Sequence, residues 1–156
     1  MKKLNKLEEK LKKVEQGAIK YLIEAQQETA KEICEDVKTL APKDTGQYAE
    51  SIKVSETEYK KGKISTMIYT DAIVESKRDG DKYNLGFLLE TGTSPHLIVP
   101  VDASVLHFKI EGKDIFTKMV YHTGTVAQPH FTPSLNMNKL TYKMKIAEAL
   151  RRSFNE

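Results

Sequence analysis

The chain has 156 residues, of which 39% are hydrophobic and 30% are charged, and its formal net charge is +3. This composition is typical of a folded, rather polar globular protein and excludes a disordered chain. The charge alone does not indicate a nucleic-acid-binding protein, although both ends are basic: residues 1–20 contain seven Lys against three Glu, and residues 139–156 contain five Lys or Arg against two Glu. The single Cys34 excludes an intramolecular disulfide. No apolar stretch approaches the ~18 residues that a membrane span needs, and no signal peptide is evident, so we expect folding in a reducing cytoplasm.

Residues 1–40 are predicted to form one long amphipathic helix. Apolar residues recur at alternating spacings of three and four, at Leu4, Leu7, Leu11, Val14, Ala18, Tyr21, Leu22 and Ala25. Pro42 ends the helix, because its ring disfavours helical geometry at the preceding residue. At ~1.5 Å per residue the helix would be roughly 50 Å long, too long for its own core to cover. We therefore expect its first three turns to project, fray or pack on another subunit.

The region 41–132 is predicted to be one curved, mainly antiparallel β-sheet with a short helix. Alternation of polar and apolar residues indicates strands at 51–55 and 64–69, joined by a turn at 60–63. Residues 76–82 are predicted to be a charged, exposed loop. Residues 84–90 could form a short helix or a strand, and the short helix is preferred.

Three more strands are predicted near 97–99, 106–108 and 116–120, with a hairpin turn at 111–113. Pro133 is predicted to start a closing amphipathic helix over 133–156. The order of helix, strands and helix predicts an α+β fold, with residues 1–156 as a single domain.

Asp44-Thr45-Gly46 could be the active-site triplet of a small homodimeric aspartic protease, in which two carboxylates share a proton. Such a triplet should follow a buried apolar strand, whereas this one follows Pro42 and Lys43. The context favours a turn in which Asp44 and Thr45 accept hydrogen bonds from amides and Gly46 takes a positive φ. The protease is kept as the alternative interpretation, together with a nuclease that would use the His, Lys and Arg content.

No other pattern predicts catalysis or metal binding. The four histidines, His96, His107, His122 and His130, lie in the second half of the chain at spacings that match no metal-ligand signature. Neither a nucleophile motif nor a phosphate-binding glycine loop is present in the sequence. We therefore expect no catalytic residue, cofactor or metal site, and no enzyme activity.

Several motifs in one order resemble a known family. Ala41-Pro42-Lys43-Asp44-Thr45-Gly46 is followed by Ser51-Ile52, and an apolar run then closes on Glu90-Thr91-Gly92-Thr93. After them come Pro95-His96, Leu106-His107-Phe108, Val120-Tyr121-His122-Thr123-Gly124-Thr125, Gln128-Pro129-His130-Phe131 and Pro133-Ser134-Leu135. This series, over residues 30–150, is similar to the gene-product-ten-like neck, or head–tail joining and tail-completion, proteins of tailed phages. Tyr48 stands near the usual Leu, Thr123 replaces a proline, and His130 is inserted before Phe131. The basic helix before residue 30 is not part of the motif.

The resemblance implies a structural virion-assembly protein of a phage or prophage. Such a protein would form a homo-oligomeric ring in the head–tail connector or neck, or act as a minor tail protein, and would join or complete the tail at the head. Its implied partners are copies of itself, neighbouring head-completion and tail proteins, and DNA contacted non-specifically in the lumen, with no membrane and no small-molecule substrate. It would be assembled in the host cytoplasm and located in the virion.

The resemblance also implies which residues form the turns and carry the assembly contacts. They are Pro42, Asp44, Thr45, Gly46, Ser51, Glu90, Gly92, Thr93, His122, Gly124, Thr125, Pro129, Phe131 and Pro133. We expect further contacts from the loop 76–82 and from the N-terminal helix.

Overall fold

The computed structural model describes residues 2–44, 46–76 and 80–155. They form two compact units: unit 1 runs up to Thr70 and resumes at His130, and unit 2 is Asp71–Pro129. Unit 1 combines helices with antiparallel strands, and unit 2 consists mainly of such strands with one short helix, so the predicted α+β class is confirmed. The expectation of a single domain stays a prediction.

The chain contains four helices and ten short strands within the described residues. In chain order they are α1 (Lys2–Leu40), α2 (Gln47–Ser51), β1 (Ile52–Val54), β2 (Glu58–Lys60), β3 (Lys63–Ser65), β4 (Ile68–Thr70), β5 (Ile73–Glu75), β6 (Lys82–Asn84), α3 (Leu85–Thr91), β7 (His96–Ile98), β8 (Leu106–Ile110), β9 (Lys113–Thr117), β10 (Val120–His122) and α4 (Phe131–Phe154). The strands form five antiparallel pairs, β1–β4, β2–β3, β5–β6, β7–β10 and β8–β9, rather than the one curved sheet that was predicted.

Unit 1 has its core where α1 meets β1. Ile33, Cys34 and Val37 of α1 are buried with Ala41 and Ile52, and Tyr48, Ala49, Val54, Ile68 and Phe131 pack around them. Burial raises the pKa of the Cys34 thiol, which is only 3% exposed. α1 ends at Leu40, two residues before Pro42, as the sequence predicts.

In unit 1 the strand pairs β1–β4 and β2–β3 belong to one hairpin. Between the two pairs, hydrogen bonds from side chains replace some of the backbone hydrogen bonds that would join the strands. The Ser55 amide donates to the Met67 carbonyl, but the Met67 amide donates to Ser55 Oγ instead of to a carbonyl. Gln27 of α1 ties down this interruption, because its Oε1 accepts from both the amide and the hydroxyl of Thr57, each at 2.7 Å. The hairpin is therefore fixed to the helix by one amide side chain.

α4 packs antiparallel on α1. Asn138 near the start of α4 donates to Asp36, and Lys145 further along donates to Glu28 and Glu32 at 2.9 and 2.8 Å. Burial alone would lower the pKa of Lys145, but its hydrogen bonds to the two carboxylates raise it. The residues buried on these two helices are mostly small, among them Ala25, Thr29, Ala30, Ser134, Ala149 and Ser153. α4 begins at Phe131, two residues before the predicted start, and Pro133 is tolerated because it lies in the first turn.

Unit 2 is built from hairpins around α3. Asn84 caps α3 by accepting from the Phe87 amide, which confirms the preferred prediction of a short helix. Glu111 and Gly112 both have positive φ, 50° and 80°, and make the predicted turn between β8 and β9. The predicted strand 116–120 is broken, since the Thr117 hydroxyl bonds the Met119 carbonyl and separates β9 from β10. Within the described residues, no helix is both long and apolar enough to cross a membrane.

Candidate assembly surface

Unit 2 brings together two of the chain's Thr-Gly segments, Thr91-Gly92-Thr93 and Thr123-Gly124-Thr125. The Thr93 amide donates to the Thr125 carbonyl at 3.0 Å, and the Thr125 amide donates to Thr93 Oγ1 at 2.9 Å. The two segments thus form an isolated antiparallel bridge just beyond the β7–β10 pair. We call this bridge, residues 91–93 with 123–125, the threonine-glycine clasp.

Both positions of the clasp require glycine, because a side chain would collide with the facing backbone and because the backbone has a positive φ. Gly92 and Gly124 have φ of 71° and 87°, where L side chains are strained. A Cβ on Gly92 would lie 2.5 Å from the Thr125 carbonyl oxygen, and one on Gly124 would lie closer still to the Thr93 carbonyl oxygen. The sequence predicted two turns here, but not that each turn packs its glycine against the other's backbone.

Two histidines flank the clasp on paired strands. His96 and His122 are cross-strand partners in β7 and β10, with ring centroids 5.0 Å apart. His96 Nδ1 donates to the Ser94 carbonyl, whereas His122 Nδ1 accepts from the Gly124 amide. When neutral, His122 therefore carries its proton on Nε2, and its ring helps to hold the second turn. In the described residues no three His, Cys, Asp or Glu side chains are close enough to hold a metal ion.

A further Thr-Gly segment, Asp44-Thr45-Gly46, lies in unit 1 and has a different role. Asp44 is exposed, Pro42 is half-buried, and Gly46 with φ of 82° precedes α2. Ser51 ends α2, and its hydroxyl bonds both the Tyr48 carbonyl and the Thr70 hydroxyl at 2.6 Å. The segment therefore lies between α1 and α2, and α2 leads directly into β1. Thr45 and residues 77–79 of the loop 76–82 lie outside the described residues.

The C-terminal motif joins the end of unit 2 to the core of unit 1. Pro129 is exposed, whereas His130 is fully buried and its Nε2 lies 2.6 Å from the Tyr48 hydroxyl. Phe131 is half-buried against the core, and Pro133 lies in the first turn of α4. The His130 contact was missed from the sequence, where the residue was interpreted as an insertion in the motif. Its partner Tyr48 was likewise noted only as a departure from the usual Leu.

In the described residues of unit 2 most apolar side chains are exposed and the rest are half-buried. Among its described residues only Gly86 is buried, and Phe116, Tyr121 and Val126 are 65%, 68% and 83% exposed. Glu90, at the end of α3, is half-buried. Contiguous exposed apolar surface is a common feature of protein–protein contact sites, because contact with a partner removes it from water.

A family model matches residues 5–88, and it is described as "Bacteriophage HK97-gp10, putative tail-component". The match covers more than half of the chain and includes the basic helix before residue 30, which the motifs do not reach. It ends before Gly92, so the clasp and the segments after it rest on the resemblance of motifs. No curated protein and no solved structure shows a significant match to the chain.

Proposed function

Because the chain belongs to the HK97-gp10-like family of bacteriophage tail components, we propose that it is a structural virion protein that assembles into a ring at the head–tail junction. The ring would join or complete the tail at the head, and the chain would have no enzymatic activity. Its partners are further copies of itself and the neighbouring head-completion and tail proteins.

The observation that carries this proposal is the exposed apolar surface of unit 2. In its described residues the unit fully buries no apolar side chain and leaves most of them exposed, so contact with other subunits is the physical route to burying them. In a ring each contact joins two different faces of neighbouring subunits and closes by rotation. The clasp suits such a contact because hydrogen bonds and glycine packing fix its backbone, so little ordering is needed on assembly.

The test is the mass of the full chain in solution, measured by light scattering alone and with the tail-tube protein. We expect a closed oligomer, or one that forms when the tail-tube protein is added. Val126→Asp should weaken the assembly, whereas Ser104→Asp, which adds the same charge at an exposed polar position of unit 2, should not. A chain that stays monomeric at every concentration, with and without the tail-tube protein, would overturn the proposal.

Contact with DNA in the lumen is part of the same proposal. The basic residues near both ends would give weak binding without sequence preference that falls steeply as salt is raised. Titrating duplex DNA of two unrelated sequences at several salt concentrations tests it. A measurable sequence preference would contradict this role.

The enzyme alternative is tested at Asp44. If this carboxylate belonged to a protease pair, Asp44→Asn would abolish all turnover. As an exposed turn residue, it should instead change only the stability of the protein slightly. Peptidase and nuclease assays of both forms separate the two interpretations.

A further inference from the structure

α1 extends past the end of α4 and leaves an apolar stripe uncovered. The last residues of α4, including Phe154, line a groove with α1 between Lys10 and Lys20, so α4 stops at this level of the longer helix. Leu4 and Leu7 lie beyond this groove and Leu11 lies at its level, and they are 65%, 56% and 61% exposed. We call residues 4–15 the projecting segment.

The projecting segment has the heptad spacing of a coiled coil. Leu4, Leu7, Leu11 and Val14 follow one another at steps of three, four and three residues, as a and d positions do. In that register Glu8 and Glu15 occupy e positions and Lys10 occupies a g position, on either side of the apolar seam.

The flanking charges select one direction of pairing. In a parallel pair, a g residue faces the e residue of the following heptad on the other helix, so Lys10 of one copy would face Glu15 of the second. In an antiparallel pair, e faces e and g faces g, which would oppose glutamate to glutamate and lysine to lysine. The charge pattern therefore fits a parallel partner with the same sequence.

We propose that the projecting segment packs in parallel and in register against the projecting segment of a second copy of the chain. At fewer than two full heptads, the segment is too short to associate strongly by itself, so other contacts must hold the copies together. In this respect the inference rests on the proposed ring. Rotation about the ring axis preserves the direction of helices that lie along it, so neighbouring segments would meet in parallel.

Cysteine cross-linking of the full chain tests the direction and the register. Leu4→Cys, at an a position, and Val14→Cys, at a d position, are prepared separately and then mixed, and disulfides are formed under mild oxidation. A parallel pair gives each variant linked to its own kind, because a faces a and d faces d, whereas an antiparallel pair, in which a faces d, gives mainly the mixed 4–14 product. Lys6→Cys, on the outer face of the same segment, is the control and should link poorly. The native Cys34 is buried and should not take part.

Charge reversal tests the role of Lys10 and Glu15. If the Lys10–Glu15 pair between neighbouring copies changes the association about threefold, Lys10→Glu or Glu15→Lys should lower the cross-linking yield at position 4 about threefold. The double variant Lys10→Glu/Glu15→Lys should restore it, because the complementary pair is rebuilt. Equal yields in all three variants would overturn the assignment of these charges.

Light scattering on the same samples separates this inference from the proposed ring. An oligomer whose cysteines give mixed products or none overturns the parallel pairing and leaves the ring standing. Self-linked products from a chain that forms no ring support the pairing and count against the ring. If neither the oligomer nor the self-linked products form, both the ring and the parallel pairing are overturned. If the projecting segment binds only the tail-tube protein, that result counts against its pairing with a second copy of the chain.

Discussion

Replacing Gly124 by alanine is the sharpest test of the clasp. The new Cβ would collide with the Thr93 carbonyl oxygen, and the residue would keep a φ of 87°, which costs an L-amino acid about 1–2 kcal/mol. Relieving the collision should also break the two hydrogen bonds between Thr93 and Thr125, at about 0.5–1.5 kcal/mol each. The expected loss of unfolding free energy in unit 2 is therefore about 2–5 kcal/mol.

Gly112→Ala is the matched control, because Gly112 has a similar φ of 80° but nothing within 4 Å of its would-be Cβ. It should show only the conformational cost. The assays are urea unfolding of each variant and hydrogen exchange of the Thr93 and Thr125 amides, which should exchange faster in Gly124→Ala alone. If the two alanine variants lose the same stability, or if these amides stay equally protected, the reasoning about close approach is wrong.

Three other predictions concern unit 1. Tyr48→Phe removes the hydroxyl that lies against the buried His130, and we expect it to lower the unfolding free energy measured in urea by about 1–3 kcal/mol. Tyr59→Phe, on the exposed hairpin, is the control and should lower it by less than about 0.5 kcal/mol. Equal losses in the two variants would contradict the contact between Tyr48 and His130. The Cys34 thiol should be alkylated slowly in the native protein, because burial raises its pKa and blocks access, and at the ordinary rate in denaturant; rapid native labelling would show that the core is open. Deletion of residues 1–15 should lower the assembled mass in light scattering but leave the circular dichroism melting transition of the domain in place, and a truncated chain that does not fold would refute the separate role of this segment.

The local features of the fold could be predicted from the sequence because each depends on neighbouring residues. Pro42 ends α1, Lys61 and Gly62 form the tight turn between β2 and β3, and Asn84 caps α3. What was not predicted depends on residues far apart in the chain. The hydrogen bond between Tyr48 and His130 joins positions 82 residues apart, and nothing in either neighbourhood indicates it.

The division of the sheet into pairs and the formation of the clasp also depend on residues far apart in the chain, so they were not predicted either. A pattern of alternating residues predicts strands, but it does not show where the Ser55 or Thr117 hydroxyl interrupts a ladder, and so one predicted sheet became separate pairs. The resemblance to the family implied a turn at each of the two Thr-Gly segments. Their pairing requires knowing that Thr93 and Thr125 meet, which is tertiary information.

The continuity of α1 has a mechanical consequence. From Leu4 to Val37 the helix runs without a break for about 50 Å, at ~1.5 Å per residue, and its far end is embedded in the core of unit 1. A force applied to the projecting segment is therefore transmitted along the helix to Val37 with no loop to absorb it. Gly17, where the backbone has the lowest helix propensity along this path, is the point at which such a load would bend the helix first.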